Sequence, residues 1–190
     1  KEDQKALALD MLSYLTGVSV KEGRRFPLLR KAVNEVLEME KPGMLKVIEC
    51  LRGYENEEAE SLAEHIESFT DYSFAKLLFS DGERRKSISF GSAANIVQVA
   101  DLILPDAEEQ ASEYTAQHIL SIAILMCLAT FCLNFIKEDR SVYKVVDLEE
   151  AWSFLNVAQG KALSNKLTRA FTKVSLSLCR ETWLSVSRFP

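Results

Sequence analysis

Eighteen consecutive residues, Ile119 to Ile136, carry no charge, so any fold this chain adopts must either bury them or place them in lipid. Two readings of the run stand side by side. As a membrane span it is just long enough. As a buried helix it accounts for Ser121, Thr130 and Asn134 inside it, and for flanks that mix charges (Glu113 on one side, Lys137 to Arg140 on the other) where an orientation signal would cluster Lys and Arg. A crossover helix packed between layers can be apolar all round.

The neighbours of the run favour burial. Upstream, Ile96, Val97 and Val99 form the core of an expected strand bounded by Pro105, followed by an acidic loop from Asp106 to Glu113; downstream, Val142 to Val146 is a second strand candidate. Strand, long helix and strand make a βαβ unit, and such units build parallel sheets. Phe79-Ser80-Asp81-Gly82 reads as the turn that precedes this region.

The first third has a different period. Leu7, Met11, Tyr14 and Leu15 share one helical face and Gly17 stands where that helix should end. Leu29, Val33, Val36 and Leu37 form a second stripe, with Pro27 near the start and Lys41-Pro42-Gly43 at the close. Met44, Val47, Ile48 and Leu51 predict a short third helix to Gly53. In the fourth, Asn56 is placed to cap, Glu57 and Glu58 complement the positive end of the dipole, and Ala59, Leu62, Ala63 and Ile66 form the buried stripe.

Composition narrows the function classes. With 47% hydrophobic and 27% charged residues, the 190-residue chain has the make-up of a globular protein. A formal charge of -5 argues against whole-surface attraction to nucleic acid, so no direct nucleic-acid binding is expected. Cys50, Cys127, Cys132 and Cys179 contain no C-x-x-C pair and have no His at ligand spacing; they read as reduced intracellular thiols, and zinc is not signalled. The N-terminus lacks a secretory signal pattern, so a cytoplasmic location is expected.

The segment that carries chemistry is Tyr143-Lys144-Val145-Val146-Asp147-Leu148-Glu149-Glu150-Ala151-Trp152. An apolar strand ending in adjacent acids puts carboxylates at the carboxyl edge of a parallel sheet, where open α/β sheets bind their ligands. Adjacent acids also occur at helix N-termini for dipole reasons alone. Both readings fit this segment in isolation.

Taken together, Ile96 to Pro105, the apolar helix, Glu149-Glu150-Ala151-Trp152 and the expected helix from Gly160 to Arg169 resemble the motor ATPases of conjugative transfer and type IV secretion. Phe74 to Gly82 is similar to the family segment just before its strand. The resemblance covers roughly residues 5 to 170. It implies an α/β fold: an incomplete P-loop NTPase-like, mostly parallel sheet over residues 76–190, carrying a Walker B-like strand, with a helical insertion subdomain over residues 1–75. It further implies ATP and Mg²⁺ as ligands of the complete parent. Glu150 matches the family's catalytic glutamate, and Glu149 stands at the position of the magnesium-side aspartate, which makes it the cofactor-binding and metal residue. Implied partners are other secretion or conjugation components and further copies of the parent, with peripheral attachment at the inner face of the membrane through those partners.

Three departures accompany the likeness. Glu149 is one methylene longer than aspartate, and magnesium geometry is demanding. No G-x-x-x-x-G-K-[ST] occurs in the 190 residues. From Thr172 to Pro190 the family's buried strand is replaced by an alternation of Val174, Leu176 and Leu178 with Lys173, Ser175 and Ser177, the pattern of an edge or one-face strand. A non-catalytic interaction module that keeps the fold is the competing function. His65, His118 and Trp152 read as helix-surface or core residues, Arg169 as a helix-end cation or an arginine finger, and Arg24, Arg25, Arg30 and Lys31 as a solvated basic cluster.

Overall fold

The computed structural model describes residues 2–83, 96–98, 102–106, 108–138, 144–149, 160–161, 165, 174–179 and 184–186. The chain divides into two compact units, Lys1–Leu102 and Ile103–Pro190.

The described residues of the first unit form four helices, α1 (Glu2–Thr16), α2 (Arg25–Leu37), α3 (Met44–Arg52) and α4 (Glu57–Glu67), followed by a 3-10 turn over Ser73–Leu77. Local chemistry ends α1 and begins α4. Gly17 follows α1 with φ of 68°, a left-handed conformation that favours glycine, and its N–H returns to the Tyr14 carbonyl. Asn56 is the N-cap of α4. Its side-chain oxygen accepts from Glu58 N at 2.9 Å and Ala59 N at 3.1 Å, satisfying two amides that the helix itself leaves open.

Packing follows the apolar stripes. α1 lies on α2 and α4, α2 on α3 and α4, and α3 on α4. Leu12, Leu29, Leu51, Leu62, Ile66 and Phe69 are at or near complete burial. Each such side chain contributes about 1.5–3 kcal/mol of hydrophobic stabilisation. Thr16, buried at the end of α1, donates to the Leu12 carbonyl at 2.7 Å, so its hydroxyl enters the core satisfied. The rim is ionic: Arg52 of α3 bonds Glu67 and lies 3.9 Å from Glu60, both on α4.

Among its described residues the second unit holds a 23-residue helix, α5 (Ala116–Glu138), and three strands, β1 (Lys144–Glu149), β2 (Val174–Cys179) and β3 (Leu184–Val186). Strand order is β1-β2-β3, with β1 and β2 parallel (Lys144 opposite Val174) and β2 and β3 antiparallel (Ser177 opposite Ser185). Helices and a mixed sheet make the chain α/β.

α5 contains the eighteen-residue uncharged run. It is long and apolar enough to cross a membrane, and half of its most apolar window is buried within the protein. Leu120, Ile122 and Ala123 are fully buried; Ser121, buried with them, accepts the Ile103 N–H at 3.0 Å, and Thr130 turns its hydroxyl back to the Met126 carbonyl at 2.8 Å. The Thr130 hydroxyl is thus satisfied within the helix, and Ser121 meets the segment that precedes it.

The strand expected around Ile96 needs correction. Residues 96–98 form no strand, and Ile96 is 93% exposed; an apolar β-branched run becomes a strand only where a partner edge meets it, and none does so here among the described residues. The strand expected over Val142 to Val146 is described from Lys144, as β1, and runs on to Glu149. Of the edge and one-face alternatives for the alternating segment, the edge does not hold: β2 is the middle strand among the described residues, with β3 on its far side. The expected helix from Gly160 to Arg169 is described only at Gly160, Lys161 and Asn165, which are helical; Val142, Trp152 and Arg169 lie outside the described residues.

Candidate functional site

Val145 and Val146 are β-branched, and they seed a strand whose backbone polar groups find partners along β2. Register then runs without interruption from Lys144 opposite Val174 to Glu149 opposite Cys179. Because β1 and β2 are parallel, Glu149 and Cys179 end their strands at the same edge of the sheet. Glu149 is therefore the last residue of β1, at the carboxyl edge to which an acid after a strand is assigned. Asp147, paired with Ser177, sits inside the strand and not at its end. Glu150, the residue expected to be catalytic, lies outside the described residues.

A magnesium–nucleotide site needs more than one carboxylate position. Phosphates are held by backbone amides and a lysine in a glycine-rich loop, and the metal takes a hydroxyl from that loop's Ser or Thr. That loop is not in this sequence. Among the described residues no three His, Cys, Asp or Glu side chains gather as metal ligands. The described residues alone do not compose a site for Mg²⁺ and ATP, and no catalytic step can be drawn through them.

The remaining sequence candidates resolve into structural roles. His65 is on the exposed side of α4, stacked on Phe69 with ring centroids 5.7 Å apart; partial burial, then the nearby Arg25 charge, lower its pKa. Arg24 lies 3.5 Å from Glu58, Arg25 4.0 Å from Glu22 and Lys31 3.9 Å from Glu35, so acids accompany much of the basic cluster. Burial raises the thiol pKa values of Cys127 and Cys132, and burial with the Glu35 and Glu49 charges does so for Cys50. All three stay protonated thiols near neutral pH.

Two clusters escaped the sequence reading. Thr115 and His118 cap α5 reciprocally: His118 N donates to Thr115 Oγ1 at 3.2 Å, and Thr115 N to His118 Nδ1 at 3.4 Å. This is a capping box with imidazole in the place usually taken by Glu or Gln; the spacing Thr-x-x-His was its signal. Glu109 Oε1 lies 3.3 Å from the same nitrogen, a contact that is an ion pair only with the imidazole protonated, when Nδ1 donates to Glu109 instead of accepting from Thr115. The second cluster joins α2 to the end of α3. Tyr54 donates its hydroxyl to Glu35 Oε2 at 2.8 Å, and Lys31 Nζ lies 4.1 Å from the Tyr54 ring centre. Burial, then the Glu35 hydrogen bond, raise the phenol pKa. No sequence signal announces this pair, 19 residues apart.

Compared with known proteins, residues 1–175 match the AAA-like domain. The chain belongs to the AAA-like domain family. That family is found in ATPases of conjugative transfer, and membership implies nucleotide use, with magnesium, in general. The chain is also 26% identical over 144 residues to the uncharacterized protein YddE of Bacillus subtilis (strain 168). The match takes in 73% of this chain and 17% of YddE, so the chain spans about a sixth of that relative's length. No solved structure matches it. For an AAA-like domain, the parallel β1–β2 pair with an acid at its carboxyl edge is the part of this chain closest to expected chemistry.

Proposed function

We propose that this AAA-like chain is part of an ATP-hydrolysing motor that energises conjugative DNA transfer or type IV secretion. In this reading α1 to α4 form a helical insertion within residues 1–75, and residues 76–190 contribute to a P-loop NTPase-like, mostly parallel sheet. The observation that carries it is the strand β1, parallel to β2 and ending at Glu149 immediately before Glu150-Ala151-Trp152. Glu150 is assigned the orientation of the attacking water, and Glu149 the magnesium side. A phosphate-binding loop from elsewhere in a longer parent completes the site. The parent acts in the cytoplasm, at the inner face of the membrane, with other transfer components and further copies of itself.

A second reading, a non-catalytic interaction module, is favoured by one specific observation: Glu149 stands where the resembling ATPases carry aspartate. ATP hydrolysis by the full-length parent separates the two. Glu150→Gln is expected to retain nucleotide binding and to lower turnover by about 100-fold or more, the scale of losing a general base. Glu149→Asp should strengthen magnesium-dependent nucleotide binding. Unchanged turnover in Glu150→Gln would remove the catalytic assignment and leave the interaction module.

A further inference from the structure

The loop between α2 and α3 is crossed by a stretch of chain that arrives almost forty residues later. Two glycines make the crossing possible. A β-carbon on Gly43 would overlap the backbone of Ser80 and Gly82, and one on Gly82 would overlap the Lys41 and Pro42 carbonyls. Gly82 also has φ of 86°, a left-handed backbone that side chains oppose. Gly43, by contrast, is extended (φ -156°), so its need for glycine is purely one of space.

The crossing has a bonding consequence. Gly43 is the N-cap of α3 and has no side chain with which to cap it, so the first amides of the helix need acceptors from elsewhere. Leu45 N–H finds one in the Ser80 carbonyl at 3.1 Å. Lys46 N–H bonds the Gly43 carbonyl at 3.1 Å, and Lys46 Nζ the Lys41 carbonyl. The crossing strand is fastened at its far end by Lys41 Nζ to Glu83 Oε1 at 2.8 Å, and Asp81 Oδ1 accepts Glu83 N at 3.0 Å, holding the turn that presents it. Its near end is anchored by Leu78 and Phe79, which are buried. Lys41, Asp81 and Glu83 themselves are exposed. A strap whose root is buried and whose tip is held at the solvent surface can lift without disturbing the core beneath it.

We propose that Ser80–Glu83 is a releasable clasp that caps α3 in trans, pivoting on Phe79, so that the position of the chain leaving the helical bundle and the order of the first turn of α3 are one coupled variable. When the clasp is closed, Leu45 N–H is satisfied and the chain leaves beside Lys41. Opening it frees residues 80–83 and exposes the amides at the start of α3 together.

Amide hydrogen exchange of the full chain, resolved to single residues, tests this. Gly82→Ala should speed exchange at Leu45 by about tenfold or more, with the amides of α4 unchanged. Equal Leu45 exchange in the variant and the wild type overturns the clasp, as does an equal loss of protection throughout α4, which would make the crossing a general support of the bundle. Glu83→Lys leaves both glycines in place and keeps the test available should Gly82→Ala not fold. It should speed Leu45 exchange by up to about fivefold, the range of an exposed ion pair, and the exchanged pair Lys41→Glu with Glu83→Lys should restore it. No effect of Glu83→Lys, or no recovery in the double variant, overturns the role of the ion pair as the fastening.

Discussion

In α1, α2 and α4 each element is fixed by groups within a few residues of it or on an adjacent helix, and α3 adds to these one acceptor from Ser80, whereas β1 finds its partner only when Val174 comes to lie opposite Lys144. Asn56 caps α4 from the position just before it, and Gly17 ends α1 from the position just after it. Nothing of comparable range fixes β1. What the difference teaches is where a single substitution acts: in the helical bundle it acts mostly on one element or one packing contact, and in β2, paired on both sides, it acts on two neighbours at once.

The largest expected effect lies in the core of the bundle. Phe69→Ala removes a side chain that is 2% exposed, and should lower stability by about 3–5 kcal/mol in denaturant unfolding followed by helical circular dichroism. A loss below about 1 kcal/mol would mean that the bundle does not depend on this packing, and the contrast between the regions would fail. Next comes Ser177→Pro in β2. The middle strand is paired on both sides, with Asp147 and with Ser185, so the lost N–H has a partner whichever neighbour it faces. The cost should be about 3 kcal/mol or more, with exchange protection lost in both β1 and β3; loss confined to one neighbour would break the claim that sheet substitutions act on two. Smallest is Asn56→Ala, about 1 kcal/mol by the same unfolding assay, with exchange quickening at Glu58 and Ala59 and not in α2.

That contrast in range also explains what could be read from the residues beforehand. The four helices were legible because their signals are local: the stripe Ala59, Leu62, Ala63 and Ile66 faces the core, Asn56 caps, and Gly17 and Gly53 sit just past helix ends. The strands were legible only in part. Val145 and Val146 belong to β1, but Ile96 and Val97, of similar composition, do not belong to a strand, since composition states a preference and not a partner. The alternation in Val174 to Leu178 marked a strand correctly but could not show that β3 would cover its second edge. For the candidate site, the place of Glu149 at the end of a strand was readable from the acids that follow the valines. The Thr115–His118 cap was readable in principle from spacing, whereas the Tyr54–Glu35 contact required the bundle itself.

The order of pairing in the sheet has a consequence for how the protein is made. β2 and β3 are separated only by residues 180–183 and can close as a hairpin within microseconds, but the parallel β1–β2 pair must close the much longer loop of residues 150–173. On the ribosome β1 is complete at Glu149 and its partner only at Cys179, an interval of roughly 2–6 s at ordinary rates of synthesis. Throughout that interval β1 has no strand beside it among the described residues. A nascent chain at this stage offers a β-branched edge that follows an eighteen-residue uncharged run, a combination that chaperones bind and that aggregation exploits, so the yield of folded protein should respond to translation speed over residues 150–179 more than anywhere in the helical bundle.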